Sequence, residues 1–162
     1  MRVIQKNNNY IKKHRKFPIL GTTPEQRLQL EIDSLLLLQK QYKCTCGKNA
    51  KHFPELKAVN FNKITITNQG LSLNLIKDKI EIYEPIKQFE CIHENLKRCK
   101  IKYLDPKWTN ICINESGDIS LIDFEIVVIN NEPISLELKE LDKKYTYSEI
   151  RNKLYKIFLK RT

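Results

Sequence analysis

The chain has 162 residues, with 29 Lys plus Arg against 19 Asp plus Glu for a net charge of +10, and it holds five Cys, four Gly and six Pro. That length suits one domain of ordinary size or two small lobes, and it is enough to bury a real core. With 41% apolar and 30% charged residues, and no apolar run longer than Leu35–Leu38, the chain is neither a disordered polymer nor a bilayer-spanning one; a soluble globular protein is expected.

Met1 to Lys16 carries six basic residues and no acidic one, but no apolar block followed by a cleavage site. A secretory signal is therefore not expected, and a reducing, cytoplasmic setting follows. The odd set Cys44-x-Cys46, Cys91, Cys99 and Cys112 does not form the dense even framework of a secreted mini-domain, and most of it reads as small buried apolar residues. Positive charge suits an anionic partner such as nucleotide, nucleic acid, acidic protein or membrane surface; the plain alternative is a solvated Lys-rich surface.

In chain order, Met1–Gln5 and Tyr10–Arg15 read as a hairpin around Lys6-Asn7-Asn8-Asn9. Thr23-Pro24-Glu25-Gln26 then supplies an N-cap hydroxyl, a proline at the first helical position and a capping-box glutamine. The helix that follows lines up Leu28, Leu35 and Leu38 on one face, with Glu31 on that same face. An acid facing inward is costly unless a cation meets it, so Glu31 calls for a Lys or Arg from a neighbouring element. Cys44 to His52 reads as a polar loop, Phe53–Asn60 and Lys63–Thr67 as strands, and Asn68-Gln69-Gly70 as the turn that ends the first lobe. A second helix starts at Pro85 and presents Phe89, Ile92, Leu96 and Cys99.

The next stretch carries the chemistry. Ile111–Ile113 and Ile119–Ile122 alternate around the turn Glu115-Ser116-Gly117-Asp118 and predict a hairpin. Pairing Asn114 with Ile119 places Asn110 opposite Asp123, with Cβ atoms roughly 5 Å apart. An amide oxygen and a carboxylate at that open end are hard ligands, suited to magnesium shared with substrate phosphates. Asp105 precedes Asn110 by a short loop and is placed to deprotonate a hydroxyl nucleophile. Lys107 adds a cation for a phosphoryl group in transfer. Taken singly, Asp105-Pro106 and Asn110 read as turn chemistry and Asp123 as an edge acid.

Together the motifs resemble the protein-kinase family. Asp105-Pro106-Lys107-Trp108-Thr109-Asn110 is similar to its catalytic loop D-x-K-x-x-N, and Leu121-Ile122-Asp123-Phe124-Glu125 to its metal-binding D-F-G, eighteen residues apart from aspartate to aspartate. Glu31-Ile32-Asp33-Ser34-Leu35 resembles the helix whose glutamate pairs with a strand lysine. Tyr10-Ile11-Lys12-Lys13 resembles V-A-I-K, which makes Lys12 the phosphate lysine, with Lys6 and Lys13 as competitors. Asn68-Gln69-Gly70 resembles the hinge that receives adenine. The compact form around Tyr103-Leu104-Asp105 resembles kinase-like proteins of large DNA viruses, which would place the chain in a host cytoplasm.

The resemblance implies an α+β, truncated two-lobe kinase-like fold: a small antiparallel sheet plus one helix in residues 1–70, over a reduced helical lobe with a catalytic hairpin in 71–162. It implies ATP and Mg as cofactors and transfer to an alcohol group, most simply Ser or Thr of a protein substrate. It also leaves open a regulatory protein partner, a nucleotide-binding pseudokinase without turnover, and an unspecified oligomeric state. Departures are explicit. There is no G-x-G-x-x-G, Tyr103-Leu104 stands where the family has His-Arg, Glu125 replaces the glycine of D-F-G, and no A-P-E follows. Trp108 is expected to pack beneath the catalytic loop.

Three further readings accompany this one. The basic N-terminal hairpin and the amphipathic helix Ser148–Thr162, with Ile150, Leu154, Ile157 and Phe158 on one face, fit a nucleic-acid-binding surface. Cys44, Cys46, His52 and either Cys91 or His93 offer soft ligands for zinc, although their spacing matches no common structural motif. A cysteine nucleophile paired with His93 or His52 has no local signature behind it.

Overall fold

β-Branched residues alternating with threonine and lysine build the first sheet. In the computed structural model, which describes residues 2–6, 9–13, 17–47, 50–76, 82 and 84–160 (backbone alone for 2–6 and 13), four strands lie antiparallel. They are β1 (Arg2–Lys6), β2 (Asn9–Lys13), β3 (Leu56–Asn60) and β4 (Lys63–Thr67), in the order β1-β2-β4-β3. Met1, Asn7, Asn8, His14 and Arg15 of the expected hairpin lie outside the described residues, as do Arg161 and Thr162 of the expected last helix. Tyr10 stands opposite Ile66 and Lys12 opposite Ile64. Opposed residues share a face, and Ile64 and Ile66 face the core, so register carries the Lys12 side chain inward with them. β3 starts at Leu56 rather than Phe53, because Pro54 has no N–H for a ladder and Phe53 turns into the core.

Helix α1 (Pro24–Gln41) starts where the capping signal predicts. Thr23 Oγ1 accepts from the Gln26 backbone N–H, and the Gln26 side chain accepts from the Thr23 N–H. Its inner face buries Arg27, Leu28, Glu31, Ser34, Leu35 and Leu38. Helix α2 (Pro85–Arg98) buries Phe89, Ile92 and Leu96, with Cys99 buried at its C-cap. One apolar cluster runs from Leu28 and Ile64 through Phe124 to Leu154 and Phe158.

The remaining strands are short. β5 (Leu71–Ser72) pairs with β7 (Ile111–Ile113), which pairs with β8 (Ile119–Leu121); β6 (Ile101–Tyr103) pairs with β9 (Val127–Ile129). Two helices close this half: α3 (Leu136–Lys144), not among the expected elements although Ser135 caps it and Glu137 and Lys143–Lys144 suit its two ends, and α4 (Tyr147–Leu159). α4 buries Ile150, Leu154 and Phe158, while Ile157 is only partly covered. The Phe158 ring lies 5.4 Å from that of Phe89 on α2, and Arg151 pairs with Glu90. No helix among the described residues is long and apolar enough to cross a membrane.

The β7–β8 hairpin forms, but one residue out of the expected register. Ile111 opposes Leu121 and Ile113 opposes Ile119. Asn114 donates its backbone N–H to the Asp118 carbonyl at 3.2 Å. The loop therefore has three residues, Glu115-Ser116-Gly117, and Gly117 at φ 73° supplies the left-handed step that closes it. Consequently Asn110 faces Ile122, whose N–H it accepts at 2.9 Å, and not Asp123.

Candidate active site

Burial forces together charges from β2, α1 and the segment after β8. Lys12 Nζ, 2% exposed, lies 2.5 Å from Glu31 Oε2, 2.8 Å from Asp123 Oδ1 and 3.0 Å from Glu125 Oε1. This supplies the cation that an inward Glu31 requires. In the ladder Lys6 stands opposite Asn9 and Lys13 opposite Lys63; the side chains of both lie outside the described residues. Burial alone would lower the Lys12 pKa, but Glu31, Asp123 and Glu125 outweigh it and raise it well above the ordinary lysine value.

Glu125 is one member of a larger network. Its Oε2 lies 3.4 Å from Arg27 Nε, and Arg27 also donates to the carbonyls of Thr22 at 2.9 Å and Phe17 at 2.8 Å. Among the described residues, the cations Lys12 and Arg27 thus meet the carboxylates Glu31, Asp123 and Glu125. Sequence reasoning missed Arg27, although it lies four residues before Glu31 on the same helical stripe. The ligand oxygens of Glu31, Asp123 and Glu125 lie within 4.8 Å of one another. Three hard carboxylate oxygens gathered this closely fit Mg²⁺.

Asp123 sits in the left-handed region at φ 67°, a conformation that non-glycine residues rarely hold without support. The support comes from its neighbour. Phe124 is fully buried, with ring centroids 5.3 Å from Tyr103 and 6.0 Å from Phe53, and its backbone N–H points at Glu31 Oε1, 3.4 Å away. With Phe124 anchored beneath α1, Asp123 turns toward the cleft.

The loop before β7 is held by Asn110 and Tyr103. Asn110 Nδ2 donates to Tyr103 Oη at 2.8 Å and to the Asp105 carbonyl and Oδ2, each at 3.2 Å. Its Oδ1 accepts from Thr109 Oγ1 at 3.3 Å. The Tyr103 hydroxyl in turn donates to the Ile122 carbonyl at 2.7 Å, and burial together with the charges of Asp123 and Asp105 raises its pKa. Lys107 pairs with Asp105. Asp105, Lys107 and Asn110 thus come together, with Asn110 engaging Asp105 in place of the side-by-side arrangement with Asp123 expected from the sequence. Trp108, expected beneath the loop, is 40% exposed, because the 3₁₀ turn Trp108–Asn110 buries Asn110 and leaves its first residue outward.

Between the two halves lies a cleft of about 480 Å³, lined by Lys12, Glu31 and Asp123 on one side and by Ile66, Gln69, Gly70 and Leu71 on another. Asn68 is set back from the lining: its Oδ1 accepts the Gly70 N–H at 2.8 Å and shapes the turn. Asp105, Lys107 and Asn110 do not line the cleft, but Thr109, next to Asn110, does.

No protein-family model matches this chain, and no curated protein matches it in sequence. The solved structure of Rio2 kinase from Chaetomium thermophilum, an ADP/Mg²⁺–phosphoaspartate complex, is similar to it with a TM-score of 0.59 and 14% identity, over 97% of this chain and 55% of that one. The chain spans about half the length of the structure it matches. The likeness shows the fold: α+β, with small antiparallel sheets, of protein-kinase-like form. Nothing in it supports a viral source.

Proposed function

We propose that the chain is a reduced kinase-like phosphotransferase that moves a phosphoryl group from Mg-ATP to a hydroxyl, with Ser or Thr of a protein as the acceptor. The observation that carries this reading is the lysine held among Glu31, Asp123 and Glu125 at the wall of a cleft. Residues 1–70 act as the small lobe and 71–162 as the truncated second lobe. Five free cysteines suit a reducing, cytoplasmic setting.

In this reading Lys12 binds the phosphates and Glu31 orients it. Asp123, at 18% the most exposed of the three carboxylates around Lys12, holds the metal, and Asn110, whose amide engages Asp105 outside the cleft lining, joins it by turning its Oδ1 from Thr109 toward the cleft. Magnesium, when bound, neutralises phosphate charge. The turn at Asn68, Gln69 and Gly70 borders the adenine. Asp105 accepts the proton of the attacking hydroxyl, and Lys107 offsets charge on the group in transfer.

A second reading, nucleotide binding without turnover, draws on a specific observation: Lys107 and Asn110 both already engage the Asp105 carboxylate. One experiment separates the readings. A ligand at 100 times its Kd stabilises by about 2.7 kcal/mol, so Mg-ATP should raise the Tm of the wild type and not of Asp123→Asn. Asp105→Asn should keep that shift and lose phosphoryl transfer. A shift without transfer in the wild type would establish the non-catalytic reading, and no shift in either protein would favour a scaffold or the basic nucleic-acid binder.

A further inference from the structure

The loop between α1 and β3 gathers a set of groups that the phosphotransfer reading does not use. Cys44 and Cys46 lie on that loop, His52 at its end and Cys91 on α2. The Sγ atoms of Cys44, Cys46 and Cys91 and a ring nitrogen of His52 all fall within 4.8 Å of one another. Cys44 Sγ is 3.3 Å from Cys46 Sγ, and Cys46 Sγ is 3.3 Å from His52 Nε2. A tetrahedral zinc with Zn–S of about 2.3 Å has edges between ligand atoms of roughly 3.5–3.8 Å, so the two 3.3 Å pairs need to open by a few tenths of an ångström, and the other pairs exceed the edge by no more than about 1.3 Å.

The surroundings fit a ligand set better than apolar packing. His52, fully buried, makes a 2.6 Å hydrogen bond from Nδ1 to the Ile119 carbonyl, a bond that fixes the proton on Nδ1 and leaves Nε2 as the lone-pair nitrogen facing the cysteines. Cys91 Sγ, also fully buried, receives the Thr45 backbone N–H at 3.3 Å, while Asn95 Nδ2 beside it donates to the carbonyls of Cys91 at 2.8 Å and Lys43 at 3.0 Å. A neutral thiol filling an apolar gap has no need of a backbone N–H donor; a metal-bound thiolate is stabilised by one. Three sulfurs and one imidazole select a soft to borderline ion, and four protein ligands leave no open position for catalysis.

We propose that Cys44, Cys46, His52 and Cys91 form a structural zinc site that fastens the small lobe to the second lobe. Cys91 belongs to α2, while the other three ligands follow α1. The same loop is already stitched to β8: the His52 carbonyl accepts from Leu121 N at 2.9 Å, and the Lys51 carbonyl from Ser120 Oγ at 3.0 Å. Zinc therefore braces the strand that leads, two residues later, to Asp123. This inference is independent of the phosphotransfer reading.

The test is metal content and spectroscopy on the full, reduced chain. One zinc per chain should copurify and withstand dialysis, and Co²⁺ in its place should give the thiolate charge-transfer absorption and intense visible bands of a tetrahedral site. Removing zinc with a chelator should lower Tm. Cys44 is half-buried, so Cys44→Ser should fold and bind zinc at least tenfold more weakly, whereas Cys99→Ser, outside the cluster, should bind as the wild type does. Absence of zinc together with absence of the charge-transfer band on titrating the wild type with Co²⁺ would overturn the proposal. Zinc affinity unchanged in Cys44→Ser would overturn it as well.

Discussion

Tyr103 joins three segments through one hydroxyl: it accepts from Asn110, donates to the Ile122 carbonyl, and packs its ring on Phe124. Removing only the oxygen isolates that role. Tyr103→Phe takes this donor from the Ile122 carbonyl and leaves the Asn110 amide only its longer bonds to Asp105, a loss of about 1–3 kcal/mol that should appear as a lower urea midpoint with an unchanged slope. In the sequence Tyr103 is visible only as a departure from His-Arg. Its partners lie 7 and 19 residues away, and no periodicity announces them. Glu31 is the opposite case, since an acid on a leucine stripe shows its need for a cation from the helix pattern alone.

At the level of elements, local signals and long-range sterics divide the work. The Thr23–Gln26 cap and the alternation of Ile64 and Ile66 determine their own elements, because both act within a few residues. The turn at Gly70 does not. Gly70 sits at φ 90°, and a Cβ there would come within 2.6 Å of Asn114 Cα and collide with the Ile113 carbonyl, because β5 lies directly on β7. Gly70→Ala should cost about 1–3 kcal/mol from the backbone conformation, with the clash added, and lower the thermal midpoint. If the midpoint is unchanged, the close approach of the turn to β7 is wrong. The β7–β8 register was legible as a hairpin but not to the residue, since Asp118 reads equally well as a turn residue or as the partner of Asn114.

Across the whole molecule, charge helps hold the halves together. Lys12 comes from the first sheet, Glu31 from α1, and Asp123 and Glu125 from the segment after β8. Lys12→Met removes the buried cation that Glu31, Asp123 and Glu125 share and should cost about 3–5 kcal/mol. The pH dependence has a definite sign. Because the folded Lys12 pKa is raised above its unfolded value, the stabilisation is complete below about pH 10.4 and is lost as pH rises through the folded value. The gap between wild-type and Lys12→Met urea midpoints should thus stay constant from pH 7 toward 10 and narrow only beyond it. A gap that shrank between pH 7 and 9 would contradict the raised pKa.

The sequence by itself determined what short-range physics controls: the helix starts at Thr23 and Pro85, the inward Glu31, the existence of the Ile111–Leu121 hairpin, and the Asp105–Asn110 and Asp123–Glu125 motifs. Only the tertiary structure decided which groups meet. Lys12 faces inward because of its register against Ile64, Glu125 is drawn to Lys12 and Arg27, Asn110 turns to Asp105, and Cys91 rather than His93 closes on Cys44, Cys46 and His52. Each of these is a contact between distant parts of the chain, where a shift of one residue in strand register or a turn of a helix reverses the face a side chain presents.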